Sequence, residues 1–220
     1  MASRGWGHLP AGGWGREGQT GPGPEAPRRR HGTSGFDGSA APIDTGRPHP
    51  ARFYDWWLGG KDDYPVDEEP ARRILAADGT AVRGARANRR FMHRAVRTLA
   101  EAGIRQFLVT HHLGDAVDGD DVHGLPGRYV DALAPGSHPV LSQVTPDLNP
   151  EAVGRAAALS TRGGTPFHPR SLTAFTRFFD GLELLGPGII PVTGWRPDPQ
   201  DVAAQAEGIV PVHAGVARKL

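Results

Sequence analysis

The spacing of apolar residues predicts three helices in the first half of the ordered chain. Pro50–Leu58 reads as a short helix, and Gly59-Gly60 ends it because glycine adopts the left-handed cap conformation at little cost. A second helix is predicted at residues 67–77. A third helix is predicted at residues 80–102, with Gly103 as its stop and an apolar stripe of Ala85, Phe91, Met92, Ala95 and Leu99.

Beyond Gly103, short apolar runs alternate with longer stretches of helical spacing. A helix is predicted from Asp120 or Asp121 to Leu133, with Tyr129 on its apolar side. Two more helices are predicted at residues 149–160 and 169–179. Strands are predicted at residues 105–109, 140–144, 182–185, 189–195 and 209–217.

The alternation of strands and helices predicts an α/β layered domain with a mostly parallel sheet, preceded by N-terminal helices. Gly186-Pro187-Gly188 joins two predicted strands tightly enough for a hairpin, which predicts an antiparallel C-terminal edge. Residues 1–42 contain 11 glycines and 5 prolines without a helical or strand period, so they are predicted to be a disordered leader. The ordered domain is expected at residues 43–220.

Composition narrows the class of protein. The 25 basic and 24 acidic residues leave a formal charge of +1, which gives no strong field for nucleic acid or an anionic membrane surface. The chain has no cysteine, so thiolate metal sites, disulfides and thiol nucleophiles are excluded. No apolar run is long enough to span a membrane, and the N-terminus lacks the apolar core of a signal peptide. We therefore expect a cytoplasmic protein without a nucleic-acid or membrane partner.

Two blocks of sequence are more specific than composition. In the first, Tyr54 and Asp55 precede Leu58-Gly59-Gly60-Lys61-Asp62, and Asn88-Arg89 follows on the third predicted helix. In this order they resemble a family of actinobacterial S-adenosylmethionine-dependent methyltransferases, formerly catalogued as a domain of unknown function. The second block continues the resemblance over most of residues 43–220, at residues 131–137, 178–184, 191–192, 195–198 and 215–219.

The resemblance implies a Rossmann-like methyltransferase domain with S-adenosylmethionine as cofactor and a small molecule whose O or N atom accepts the methyl group. It also implies that six residues of the first block approach the cofactor: Tyr54, Gly59, Gly60, Lys61, Asn88 and Arg89. The alternative is structural. Phe53 and Trp57 would then pack on the core, Gly59-Gly60 would cap the helix, and Asn88 would make a structural hydrogen bond.

The sequence after the first predicted strand departs from the family pattern. That strand should run into a glycine-rich turn, because only glycine lets backbone N–H groups approach a ligand closely. Residues 110–121 have no clustered glycines, and no acidic residue ending a second strand follows. Roughly two βαβ units, each of about 30 residues or more, are expected to be missing from an otherwise family-like domain.

The missing loop predicts impaired methyl transfer. The alternative is a non-catalytic methyltransferase remnant that acts as an interaction module or has no function. Removal of central strands would also leave sheet faces and edges uncovered, which predicts poor solubility or homo-oligomers.

The junction itself is rich in potential metal ligands. Seven oxygen or nitrogen donors fall within thirteen residues, which leaves a metal-dependent enzyme as a third hypothesis: His111, His112, Asp115, Asp118, Asp120, Asp121 and His123. The EF-hand pattern fails because His123 occupies its glycine position, and no His-Glu-x-x-His motif exists. An exposed acidic loop that caps the next helix is favoured, so no metal site is predicted. His111 and His112 are candidates for a general base because histidine titrates near neutral pH.

Overall fold

A computed structural model of the protein describes residues 43–107, 121–165 and 167–220. The predicted leader at residues 1–42, the end of the predicted strand at Leu108 and Val109, and His111 and His112 lie outside these ranges. The described helices are α1 (Pro50–Leu58), α2 (Pro65–Ala77), α3 (Ala81–Glu101), α4 (Asp121–Ala132), α5 (Pro150–Arg162), α6 (Leu172–Thr176), a 3-10 turn (Arg177–Phe179) and α7 (Pro199–Ala206). The described strands are β1 (Val140–Val144), β2 (Leu182–Leu184), β3 (Ile190–Pro191) and β4 (Val212–Lys219).

Local sequence explains where the first helices begin and end. His49 Nδ1 accepts a hydrogen bond from the backbone N–H of Ala51 (3.2 Å), and Pro50 occupies the first turn of α1. Gly59 ends α1 with φ 78°, as the sequence predicts. The second helix begins at Pro65, two residues earlier than predicted, because proline is pre-organised for a first helical position.

The sheet places β4 at its centre. Strand β1 pairs with one side of β4, and β2 and β3 pair with the other side. All three pairings are antiparallel, so β1, β2 and β3 run in one direction and β4 runs against them. The C-terminal strand β4 is antiparallel to its neighbours, but it lies at the centre of the sheet and not at the edge that the sequence predicts, and the predicted mostly parallel pairing is not found among the described strands. The difference arises because the last strand inserts between strands that are themselves parallel.

The predicted hairpin at Gly186-Pro187-Gly188 is wrong. Strand β2 and strand β3 both pair with β4, at Leu184↔Ala217 and Ile190↔Ala214. From Leu184 to Ile190 the chain covers six residues, whereas their partners Ala217 and Ala214 on β4 are three residues apart. Strands β2 and β3 therefore lie along the same side of β4, and the Gly-Pro-Gly segment between them forms a bulge. Proline is tolerated at such a position because it lies off the ladder of hydrogen bonds.

Three other sequence expectations are corrected. The helix predicted at residues 169–179 is limited to α6 and the 3-10 turn, because the side chain of Ser171 caps the backbone N–H of Ala174 and starts the helix there. Tyr129 on α4 is exposed rather than inward. Residues 105–107 form no strand in the described part of the chain.

The core has three parts. One face of the sheet packs against α3 through Ala87, Phe91, Ala95 and Leu99, with Trp195 edge-on to Phe91 at 5.6 Å between ring centroids. The opposite face is covered by Phe175, Phe178 and Phe179 of α6 and the 3-10 turn. A separate cluster joins α1, α2 and α5 through Phe53, Ala71, Ile74 and Ala156.

Arg94 is buried in the middle of the apolar face of α3. Its Nε donates to the carbonyl of Trp195 (2.9 Å), its Nη2 donates to the carbonyl of Val192, and its Nη1 pairs with Asp201 at 2.6 Å. Asp201 also pairs with Arg90 at 2.7 Å, and both members of the Arg94–Asp201 pair are 1% exposed. The guanidinium therefore connects α3 to the turn after β3 and to α7.

We expect Asp201→Asn to lower the free energy of unfolding by on the order of 3–5 kcal/mol, because it removes the carboxylate that pairs directly with the buried Arg94 guanidinium. Asp198→Asn is the matched control, since Asp198 pairs with Arg97 at 2.7 Å where both side chains are about half exposed. That exposed pair is expected to contribute no more than about 1 kcal/mol. Urea unfolding of both variants measures the difference, and equal losses would contradict the role assigned to Arg94.

Candidate functional site

Three of the six residues implied by the resemblance meet between α1 and α3. The Tyr54 hydroxyl donates to the backbone carbonyl of Ala85 (2.9 Å), and Asn88 Nδ2 lies 3.4 Å from the same hydroxyl. The guanidinium of Arg89 lies over the Tyr54 ring, 5.7 Å from its centroid. Helical spacing on α3 places Ala85, Asn88 and Arg89 on one side, facing α1.

Tyr54 is buried, at 9% exposure. Burial raises the pKa of its hydroxyl, and this effect outweighs the hydrogen bond from Asn88 and the nearby charge of Arg89, which lower it. The phenol is therefore neutral at physiological pH. It can donate or accept a hydrogen bond, but it has no charge with which to act as a base.

Gly59, Gly60 and Lys61 form the exposed turn that follows α1. The Gly60 backbone N–H donates to the carbonyl of Asp55 (2.9 Å), and the Asp55 carboxylate accepts from the N–H of Asp62 (2.9 Å). An added Cβ at Gly60 would lie 2.1 Å from Asp55 Oδ1. A side chain at position 60 would therefore displace the Asp55 carboxylate.

The cations of this region are available to a ligand. Lys61 is exposed and makes no hydrogen bond or ion pair with any residue in the described part of the chain. Arg89 is half-buried over Tyr54, and no carboxylate within residues 43–107, 121–165 and 167–220 pairs with it. Arg89 can therefore offer a positive charge beside an aromatic ring, and Lys61 can offer a second positive charge on the turn after α1.

Asp67 stabilises the segment between α1 and α2, a role that the sequence pattern does not predict. Its carboxylate accepts from Arg52 Nε (2.6 Å) and from the backbone N–H groups of His49 (2.9 Å) and Tyr64 (3.0 Å). Burial alone would raise the pKa of Asp67, but these three hydrogen bonds together lower it. The only sequence signal is an acidic residue in the first turn of α2.

Two grooves lie away from the Tyr54 region, between α2 and α5. One, of about 370 Å³, is lined by Ala77, Arg155 and Leu159 among others, and the second, of about 270 Å³, by Arg73, Ile74 and Ser160. The hydroxyl groups of Ser160 and Thr165 in the second groove bond to local backbone carbonyls, and no histidine or carboxylate lines either groove. We assign no chemistry to them.

The remaining candidate residues cannot be placed. His111 and His112, and most of the histidine and aspartate donors of the junction, lie outside the described residues. Among the residues whose placement is described, no group of three or more histidine or acidic side chains is arranged to hold a metal ion. No described helix has the length and apolar character needed to cross a membrane.

Comparison with known proteins identifies the family. The model of the S-adenosyl methyltransferase family matches residues 37–112 and 109–220. The chain belongs to this family. The resemblance drawn from the Tyr54–Lys61 string is thereby confirmed.

Solved structures support the methyltransferase fold. The chain is similar to a DUF574 family protein from Streptomyces avermitilis MA-4680, with 27% identity, a TM-score of 0.71, and coverage of 80% of this chain and 99% of that one. It is also similar to a candidate methyltransferase from Thermobifida fusca YX, with 23% identity, a TM-score of 0.66, and coverage of 80% and 96%. The α/β class is confirmed by these neighbours, both from actinobacteria. A search of curated proteins found no match.

A double-mutant cycle tests whether the effect of a side chain at position 60 acts through Asp55. We expect Gly60→Ala to cost roughly 0.5–1.5 kcal/mol of unfolding free energy, because the new methyl group displaces the Asp55 carboxylate from its hydrogen bond. In an Asp55→Ala background the same change should cost little. Gly79→Ala is the control, since nothing lies within 4 Å of an added Cβ there. A Gly60→Ala cost that persists without Asp55 would contradict the packing explanation.

Proposed function

We propose that this chain derives from an enzyme that transfers the methyl group of S-adenosylmethionine to an O or N atom of a small molecule, and that its own cofactor binding is impaired. The observation that carries this proposal is the sequence after Leu108. Where the family places a glycine-rich turn, residues 110–121 have no clustered glycines. Without closely spaced backbone N–H groups, the methionine end of the cofactor has no cradle.

The form of the family match supports an internal deletion. The model matches in two segments, and these meet at residues 109–112. The junction coincides with the point at which the sequence departs from the family pattern. Both observations are explained if the central strands and their helices are absent and the flanking parts have been joined directly.

The Tyr54 region is where residual affinity for the cofactor is expected. Lys61 and Arg89 can supply positive charge to the carboxylate of the cofactor, and the aromatic side chains of α1 can exclude water from it. Methyl transfer depends mainly on positioning the donor and the acceptor in line. Two cations and an aromatic ring attract a ligand, but they do not fix the direction of its methyl group.

The second candidate function is a non-catalytic remnant, and the contacts of Tyr54 favour it. The Tyr54 hydroxyl donates a hydrogen bond to the Ala85 carbonyl. In the turn after α1, the backbone N–H groups of Gly60 and Asp62 donate to the carbonyl and the carboxylate of Asp55. These contacts stabilise the helices without any ligand. A chain that has lost its cofactor would therefore still fold this part, and could serve as a partner for an intact family member.

Calorimetric titration of the full chain with S-adenosylmethionine tests the proposal. We expect no saturable heat at millimolar cofactor, which corresponds to a dissociation constant above about 1 mM and a binding free energy weaker than about −4 kcal/mol. A chimera restores the missing part, with the corresponding central segment of the Streptomyces avermitilis protein inserted after Leu108. We expect the chimera to bind, and Arg89→Ala in the chimera to weaken binding.

The outcomes are distinct. Binding by the chimera alone supports a family enzyme that lost its cradle. Saturable binding by the natural chain at micromolar cofactor would refute the impairment. If neither protein binds while both unfold cooperatively, the remnant is the better description.

We also expect the chain to self-associate if its central strands are missing. Several large apolar side chains are exposed in the described part of the chain, among them Phe107 at 39%, Tyr129 at 45% and Leu184 at 40%. Uncovered apolar surface and sheet edges favour association. Size-exclusion chromatography with light scattering should show oligomers at micromolar concentration, and a monodisperse monomer would contradict this expectation.

A further inference from the structure

Residues 196–209, which include α7 and which we call the α7 segment, lie on the surface between two buried core residues, Trp195 and Val210. Of the side chains described in this segment, Asp201 is the one that is buried, at 1% exposure. The large apolar side chains of Val202 and Ile209 are 55% and 62% exposed. None of the apolar clusters formed by the described residues includes a residue of the segment. Burial of its described apolar side chains therefore does not hold the α7 segment in place.

Polar contacts hold it instead, and most of them come from α3. Four arginines lie along one side of this helix and reach the α7 segment: Arg83, Arg90, Arg94 and Arg97. The second and third pair with Asp201, and the fourth pairs with Asp198. The first donates to the carbonyls of Glu207 and Ile209. Gln205 adds a hydrogen bond to the carbonyl of Thr193 (2.8 Å).

The α7 segment lies at the ligand-binding end of the sheet. The last residues of β1 and β3, Val144 and Pro191, pair with Val212 and His213 at the start of β4. The connection from β3 to β4 therefore leaves the sheet at the carboxyl ends of β1 and β3, where open α/β sheets hold ligands. The part of α3 that contacts the segment also carries Asn88 and Arg89, which lie beside Tyr54.

Both ends of the α7 segment have backbone conformations suited to a hinge. Arg196 has φ 42°, in the left-handed region that residues with a side chain disfavour, and its Nε donates to the carbonyl of Gly186 (3.2 Å). Gly208 has φ 118°, which glycine adopts at little cost. Hinge residues at the ends of a moving segment absorb the changes in φ and ψ. Rotation at these two positions can move the segment while Trp195 and Val210 stay in the core.

We propose that the α7 segment is a lid over the carboxyl end of the sheet, which the buried Asp201 carboxylate holds closed and which opens while the rest of the domain stays folded. The described apolar side chains of the segment are already exposed, so the hydrophobic effect opposes its opening only weakly. Opening separates Asp201 from Arg90 and Arg94 but lets water reach all three charged groups, so no buried charge is left without a partner. Arg94 keeps its hydrogen bonds to the carbonyls of Val192 and Trp195. This lid goes beyond the proposed function and needs no bound cofactor.

Hydrogen–deuterium exchange of the natural full chain, at urea concentrations too low to unfold it, tests the proposal. The amides of residues 201–206 report on the α7 segment, and those of β4 report on the sheet. We expect the α7 amides to be at least about tenfold less protected than the β4 amides, and their protection to depend less on urea because less surface becomes exposed. Equal protection with equal urea dependence would overturn the proposal, because the segment and the sheet would then open only together.

Two variants identify the contact that breaks when the lid opens. Arg90→Gln removes one ion pair of Asp201 and leaves the pair with Arg94 in place, so it should speed exchange of the α7 amides by about tenfold. Phe175→Leu is the control, because Phe175 packs on the opposite face of the sheet. It should speed exchange of the β4 amides and leave that of the α7 amides unchanged.

Two results with these variants would also overturn the proposal. One is an unchanged rate of α7 exchange in Arg90→Gln, since the opening would then not break the contacts of Asp201. The other is α7 exchange that rises with Phe175→Leu as much as β4 exchange does. The urea series on the natural protein decides the question if either variant fails to fold.

Discussion

The Arg94 guanidinium is the constraint on which the arrangement of the C-terminal half depends. It lies in the apolar face of α3 and must find partners for its donors, because a buried charge without partners is unstable. It finds them in the carbonyls of Val192 and Trp195 and in the carboxylate of Asp201. These groups lie in the turn after β3 and in α7. The position of Trp195 against Phe91, and with it the packing of α3 on the sheet, follows from this one side chain.

Sequence periodicity predicts α1 to α5 well because these helices carry apolar stripes or terminators of their own, whereas α7 is not predicted and α6 is shorter than predicted. The stripe of α3 and the glycine after α1 are local signals, and the structure follows both. The edge at β2 and β3 is different, since whether Gly186-Pro187-Gly188 turns the chain back or bulges out depends on β4, which lies more than twenty residues away. The sequence does not predict the role of Arg94 for a similar reason, because its partner Asp201 is remote in sequence.

The candidate site could be predicted only as a set of residues. The resemblance points to Tyr54, Asn88 and Arg89, and the structure brings these three together. It does not predict that Asp55 would fill the space above Gly60 or that Asp67 would hold the turn before α2. Both acidic residues act through backbone N–H groups, and such contacts leave no recognisable pattern in a sequence.

The hydrogen bonds of Tyr54, Gly60 and Asp67 explain why the Tyr54–Lys61 sequence can be retained without a bound cofactor. The Tyr54 hydroxyl donates to the Ala85 carbonyl, and the Gly60 N–H donates to the Asp55 carbonyl. The Asp67 carboxylate accepts from Arg52 and from the backbone N–H groups of His49 and Tyr64. These hydrogen bonds all form within α1, α2, α3 and the turns between them. This part of the chain is stable on physical grounds that involve no cofactor. A cofactor cradle is built differently, from backbone N–H groups that stay unpaired until the ligand arrives. The string therefore identifies the family and the fold, whereas the impairment proposed above concerns the sequence after Leu108, which lies outside these contacts.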